Sequence, residues 1–409
     1  MAVEIKIDRS GTKRSHRFMR AIMRSAGALS YEEAQQAIDS APTPRAKALL
    51  PLVLQPLWDA YAALSQARDR RAPLELDLPE RKVEISEDGH VAGIRTKARF
   101  DAHKLIEEMM IQANVCAAEE LEKHRAALLY RVHDAPSDAK IAALSEFLKT
   151  LDVKWPLGDR TQTSRFNRLL ADFDETEHSE AISEIVLRTQ SQAIYSPENI
   201  GHFGLNLAKY AHFTSPIRRY SDLIVHRALI ASLKFGPDGL TDKQAAQLDE
   251  TAQHLVQTER RSMAAEREAT DRYLALFLAD RVGAEFEGRI SGVTASGLFI
   301  RLDETGADGF CPASRISQEY WRYSEASQAL VGEASGKRYE LGQSVTVRLA
   351  EVTPLEGGLL LELLSEPKPR RPGEKLQPRT RGNRFNGRKR SGTVRRGKGK
   401  AGGKGTKRR

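Results

Sequence analysis

The stretch that decides this chain runs from His202-Phe-Gly-Leu205 through Tyr210-Ala-His-Phe-Thr-Ser-Pro-Ile-Arg-Arg-Tyr-Ser-Asp222 to His226-Arg227. Phe213 to Ile217 reads as an extended segment ending at a helix start, with Ser215 a suitable N-cap and Pro216 a suitable first helical residue. Free amides at such a helix end favour an anion. Arg218 falls in the first turn with Arg219 beside it. Two cations at a helix N-terminus cost stability, so their presence points to an external anion such as phosphate. Asp222 lies four residues after Arg218 and His226 four after Asp222, so all three share one helix face. Taken alone, Ser215-Pro-Ile-Arg218 also describes an ordinary capped helix with a surface Arg–Asp pair.

Outward from this stretch, residues 1–40 read as a strand from Val3 to Ile7, a turn at Ser10-Gly11, a helix from about Arg17 to Ala26 and another from Tyr31. Residues 43–70 are helical, because Leu49, Leu50, Val53, Leu54, Leu57 and Leu64 recur at spacings of three and four. Residues 74–100 read as a hairpin: Leu74, Leu76 and Leu78 alternate, Val83 and Ile85 continue, and Glu87-Asp-Gly-His90 turns the chain into Val91 to Ile94. A long helix runs from Ala102 to about His124 with Ile106, Met109, Met110, Ala113 and Ala117 as its apolar stripe. Helices follow around 137–150, 164–171 and 178–193, and a loop at Ser196-Pro-Glu-Asn199 leads to His202. After Pro216 the pattern is helical to about Lys234, and again over roughly 241–281. From Gly283 to about Leu364 short alternating segments with Gly-rich turns indicate a small β-barrel. Beyond Glu366 almost nothing apolar remains, so residues 366–409 are expected to be disordered. The fold class is α+β over 1–282, then an all-β barrel over 283–365.

The chain has 409 residues and a net charge of +9. Residues 366–409 hold 18 Lys/Arg against two acids, or +16, which leaves 46 basic against 53 acidic residues, or −7, in the body. The basic partner signal therefore sits in the tail. The segment Met1 to Asp8 has no secretory pattern, and no apolar run reaches the roughly 18 residues of a membrane span. Two distant cysteines, Cys116 and Cys311, offer neither a disulfide framework nor zinc spacing, read as core residues, and suit a reducing cytoplasm.

The stretch from His202 to Arg227 resembles, position for position, the signature of the RNB family of 3′→5′ exoribonucleases, the ribonuclease R/ribonuclease II type. Tyr31 in Ala28-Leu-Ser-Tyr31, the helix segment His103-Lys-Leu-Ile-Glu-Glu-Met-Met-Ile-Gln-Ala-Asn114, Tyr130-Arg-Val-His-Asp134 and Tyr195-Ser-Pro-Glu-Asn199 also resemble family segments. The resemblance covers about residues 1–365. It implies hydrolysis of RNA from the 3′ end with Mg²⁺, releasing 5′-nucleotides. It implies that Arg218 holds or polarises the scissile phosphate, that Tyr31 and Glu107 read the ribose, and that Glu266 in Ala264-Ala-Glu-Arg267 is a further acid near the active site. RNA contact is also implied for His202, Tyr210, Phe213, Thr214, Ser215 and Arg219. On the residues alone, Glu107 is as well read as a solvated helix residue and Tyr31 as a helix-start residue packed on the core.

Two departures stand out. The family places four aspartates as Asp-x-x-x-x-x-Asp-x-Asp-Asp to hold Mg²⁺, since metal-assisted hydrolysis needs such carboxylates. The chain contains no Asp-Asp pair, and Asp172-Phe-Asp-Glu175 has the wrong context. The chain also begins roughly where the middle of the catalytic domain is expected and lacks the preceding cold-shock barrels. The expectation is a truncated RNB domain with no metal ligands of its own, which takes its aspartates from the missing N-terminal half or serves as a non-catalytic RNA-binding fragment. The second departure is Leu76, where the family often stacks a phenylalanine on the 3′ bases.

In Glu287 to Leu302, Leu298, Ile300 and Leu302 point one way, Phe299 and Arg301 the other. An exposed aromatic beside an arginine on a barrel strand makes a base-stacking platform, unless Phe299 packs under a loop. With Gly309-Phe-Cys-Pro-Ala-Ser-Arg315 and Gly342-Gln-Ser-Val-Thr-Val-Arg-Leu349 the pattern is similar to the S1-type OB fold. The tail adds salt-dependent RNA or ribosome affinity, or solubilises, or meets another polyanion.

Overall fold

A computed structural model describes residues 1–39, 41–76, 81–89, 91–155 and 162–370. The chain opens with an antiparallel hairpin, Ala2–Ile7 with Lys13–Met19. Gly11 turns it at φ +74°, and a Cβ there would lie 2.0 Å from the Ala63 carbonyl oxygen, so only glycine fits. The helix expected from Arg17 to Ala26 is not formed. Pairing with Ala2–Ile7 draws Arg17 and Phe18 into a strand, and residues 20–30 carry no regular structure.

Helix Tyr31–Ile38 begins in a full capping box, Ser30 with Glu33. The expected helix over 43–70 forms in three continuous pieces, Pro44–Leu49, a π-turn at Leu50–Leu54, and Gln55–Arg71. Leu74 and Leu76 precede the hairpin Arg81–Ile85/Val91–Thr96 without joining it. Leu78 and His90 lie outside the described residues.

The central helix, Asp101–Lys123, is the axis of the first two-thirds of the chain. Its buried face is Leu105, Glu108, Ile111, Ala113 to Ala118 and Leu121. That corrects the expected stripe: Ile106 is exposed, and a carboxylate, Glu108, takes a core position. Three helices, Asp138–Lys149, Thr163–Asp172 and Ser179–Thr189, then pack together. The long helix Leu248–Leu278 is buried at its two ends, Leu248 and Ala252, then Leu274, Ala275 and Leu278, and exposed between.

Five strands close the C-terminal barrel in the order Ser344–Thr353, Gly358–Leu363, Asp308–Pro312, Gly297–Leu302 and Glu285–Thr294. Gly358–Leu363 and Asp308–Pro312 are parallel, the other pairs antiparallel. A three-stranded sheet from Trp321 to Glu340 is inserted between Asp308–Pro312 and Ser344–Thr353. Leu298, Ile300 and Leu302 fill the barrel and share one core with Phe147, Phe166 and Ile182 of the three helices and with Leu278 of the long helix. The barrel is thus fused to the helical part by apolar burial. Cys116 and Cys311 are both free and buried. The tail expected to be disordered starts with order: Lys368 pairs backbone to backbone with Arg338. Residues 371–409 lie outside the described residues. Among the described residues no helix is long and apolar enough to cross a membrane.

Candidate nucleic-acid interface

Phe213 to Arg219 forms a loop gripped from three directions. Asn114, buried in the central helix, accepts from Phe213 N at 2.9 Å and donates to Tyr210 Oη at 3.0 Å. His226 Nε2 donates to the Phe213 carbonyl at 2.8 Å, and its ring stacks on Phe213 at 4.4 Å and 19°. Phe18 meets Phe213 edge-on at 5.4 Å. Asp222, fully buried, accepts from Ser215 N at 2.7 Å, Arg219 Nη2 at 2.8 Å and Ser221 Oγ at 3.1 Å.

This geometry corrects the reading of Ser215 as an N-cap. The helix starts at Tyr220. Ser215 to Arg219 is a turn in which the amides of Arg218 and Arg219 donate to the Ser215 carbonyl at 3.3 and 3.0 Å. Asp222 pairs with Arg219, not Arg218. The charge of Arg219 is therefore committed inside the loop, while Arg218 is exposed and makes no ion pair among the described residues. Tyr210 and Phe213, expected at RNA, are instead buried packing residues, 8% and 5% exposed. Thr214 Oγ1 is buried with no hydrogen-bond partner among the described residues, and Ser215 spends its amide on Asp222.

Behind the loop lies a layer of neutral rings. Arg131 forks onto Glu259 of the long helix at 2.8 and 2.9 Å and lies over the Tyr195 ring at 4.7 Å. Tyr195 Oη shares a 2.9 Å hydrogen bond with His212 Nδ1. His202 packs between His133 and Tyr210, at 5.1 and 5.3 Å. Burial, helped by neighbouring cations, pushes His202 down to about 3 and His212 down to about 2. Both are neutral near pH 7, so they shape the loop rather than supply charge to a phosphate. His133 Nδ1 accepts from Gly204 N at 2.9 Å and its Nε2 donates to the Ser191 carbonyl at 2.8 Å. A Cβ on Gly204 would sit 2.9 Å from that ring nitrogen, which explains the glycine in His202-Phe-Gly-Leu205.

At the other end of the central helix Tyr31 stacks on His103 at 3.9 Å, and Glu107, one turn on, pairs with Arg99 at 2.9 Å in an exposed contact. Glu107 thus shares a helix face with the Tyr31 stack. A cavity of about 360 Å³ opens beside Glu107, lined among others by Arg68, Arg71, Leu74, Leu76 and Glu108. Sequence reasoning missed Glu108. Arg68 and Arg71 each approach its carboxylate at 3.3 Å, while burial raises its pKa and the two arginines oppose the rise. Arg71 Nε is buried without a hydrogen-bond partner among the described residues. On the barrel, Phe299 is 42% exposed and 5.1 Å from Phe310. Arg301 lies on the same face but pairs with Asp308 at 3.2 Å. Glu266 lies on the exposed middle of the long helix, and no hydrogen bond or ion pair joins it to Arg218, Tyr31 or Glu107 among the described residues.

The RNB domain model matches residues 1–234, and the S1 RNA binding domain model matches residues 279–363. The chain belongs to the RNB family. It is 35% identical to ribonuclease R of Escherichia coli K12 over 385 residues, covering 91% of this chain and 47% of that protein. The apo form of Mycoplasma genitalium RNase R superposes with a TM-score of 0.83 at 27% identity, covering 88% of this chain and 57% of that one. The same protein in complex with ribose-methylated single-stranded RNA gives the same values. This RNB chain thus spans about half the length of the relatives it matches. No three His, Cys, Asp or Glu among the described residues cluster as a metal site.

Proposed function

We propose that this chain is the RNA-gripping portion of a ribonuclease R-like 3′→5′ exoribonuclease that releases 5′-nucleotides. The observation that carries the reading is Arg218, a cation with no ion pair among the described residues, on a loop locked by Asn114, Asp222 and His226. A preorganised guanidinium suits a phosphodiester oxygen, because no reorganisation is needed when the anion arrives. Tyr31 and Glu107 face the ribose at the 3′ end. The cavity beside Leu76 takes the terminal base by apolar contact in place of aromatic stacking. Phe299 stacks upstream bases, and the basic tail adds salt-dependent affinity for RNA, whether free or in the ribosome. Two free, buried cysteines accord with a reducing cytoplasm.

Hydrolysis by this reading requires the aspartates that hold Mg²⁺ to come from another chain, so this chain by itself binds RNA without cleaving it. The alternative, a non-catalytic module that uses only the barrel and tail, is favoured by the missing carboxylate cluster. Incubation of the purified chain with 5′-labelled single-stranded RNA and Mg²⁺, beside Arg218→Ala, tests both. Bound but intact RNA, with weaker binding in R218A, is the expected result. Shortening from the 3′ end would mean that other carboxylates hold the metal. Binding unchanged in R218A would leave the barrel and tail as the whole interface.

A further inference from the structure

Helix Tyr31–Ile38 meets the start of the central helix through two side chains one turn apart. Gln35 Oε1 accepts from Ala102 N at 3.0 Å, satisfying one of the free amides at that helix end. Tyr31 lays its ring on His103, centroids 3.9 Å apart and planes 19° from parallel. His103 is itself fixed. Its Nδ1 accepts from the Phe100 amide at 3.1 Å, and the Phe100 ring lies near-parallel to it at 5.7 Å. The capping box of Ser30 and Glu33 fixes the backbone at Tyr31. Tyr31 is 43% exposed, and the stack on His103 fixes the orientation of its ring. Glu107 follows His103 by one turn on the same face.

We propose that His103 is a positioning residue that sets the preference for RNA over DNA by pinning the Tyr31 ring toward the ribose. The inference rests on the reading that Tyr31 and Glu107 face the sugar. A ring already held in its bound orientation loses less freedom when the ligand arrives, and the 2′-hydroxyl is the group that distinguishes the two polymers. His103 acts through Tyr31, so its removal changes the ratio of affinities more than the grip of the barrel on upstream nucleotides.

The test compares binding of a 5′-labelled single-stranded RNA with the same oligonucleotide carrying deoxyriboses at its 3′ end. The proteins are the full chain, His103→Ala, His103→Phe and Tyr31→Ala. Histidine ring resonances in ¹H–¹³C spectra report the stack directly, because those of His103 shift when Tyr31 is removed. H103A is expected to reduce the RNA:DNA affinity ratio by about threefold to tenfold, the worth of one aromatic pair, while H103F, which keeps a stacking face, retains most of it. If melting shows H103A unfolded, His103→Leu keeps the bulk without the aromatic face and replaces it. A ratio lost in Y31A but kept in H103A overturns the proposal alone. Equal affinities in the unaltered chain, or a ratio unchanged in Y31A, removes the ribose reading and the proposal with it.

Discussion

Replacing Asp222 with alanine should destabilise the protein far more than a surface ion pair would. Its carboxylate is fully buried and accepts three hydrogen bonds, from the Ser215 amide, Arg219 and the Ser221 hydroxyl. D222A leaves the Arg219 guanidinium, whose side chain is only 20% exposed, without a counter-charge. Breaking one side of a buried pair costs about 3–5 kcal/mol. Because Arg219 retains some access to water, about 2–4 kcal/mol is expected here. That is a large fraction of the roughly 5–15 kcal/mol that holds a domain together. Asp222→Asn keeps an acceptor for the Ser215 amide and should cost less. Arg219→Ala combined with D222A should cost less than the sum of the two single changes, since the double variant strands no charge. Urea unfolding followed by circular dichroism gives the energies, and amide exchange at Ser215 reports the loop. A D222A midpoint corresponding to a loss under about 1 kcal/mol, the range of exposed pairs, would refute the claim that this carboxylate anchors the loop. So would unchanged protection of the Ser215 amide.

Asn114→Ala removes the acceptor for Phe213 N and the donor to Tyr210 Oη, and should cost about 2–4 kcal/mol in urea unfolding. His202 and His212 titrate in the unfolded chain near 6.5 but are held down to about 3 and about 2 when folded. The unfolded state therefore binds protons first, so stability is full above about pH 6.5 and falls as pH drops toward 3, by about 1 kcal/mol per pH unit for each histidine. Unfolding midpoints equal at pH 7 and pH 5 would contradict this. Phe299→Ala should weaken single-stranded RNA binding about fivefold to a hundredfold by loss of one stacking platform, read by anisotropy. Arg301→Ala should do much less, since Asp308 already occupies that cation.

What could be read from the sequence was whatever depends on neighbours along the chain. The barrel strand Gly297–Leu302 alternates cleanly, and its outward Phe299 and inward Leu298 fall where period-two patterning puts them. The central helix was recognisable for the same reason, but its facing was off, because apolar counting gives no weight to Glu108. That carboxylate sits in the core only because Arg68 and Arg71, 40 and 37 residues earlier, end a separate helix beside it. Lys13–Met19 failed in the opposite direction. Nothing local forbids a helix there, and the strand exists because Ala2–Ile7 supplies hydrogen-bond partners. Arg218 and Arg219 illustrate the limit at the site itself. They are adjacent and identical in type, and only the position of Asp222 relative to the turn decides which one is spent on structure.

That division of labour bears on what the chain can do. The loop Phe213 to Arg219 is anchored by Asn114 on one helix and by Asp222 and His226 on another, and Arg131 ties the strand beneath it to Glu259 on the long helix. Each anchor is buried or partly buried and lies among residues 1–282. Stiffness of that loop is therefore a property of this chain's own core. Hydrolysis needs something different in kind: carboxylates close enough to share a cation, which repel one another and so are stable only when the ion is bound or the surrounding fold forces them together. The described residues contain no such group. Under the proposed function, grip and cleavage would rest on different sets of residues. A change that loosens the loop, such as D222A, should show as weaker RNA binding even where no cleavage occurs.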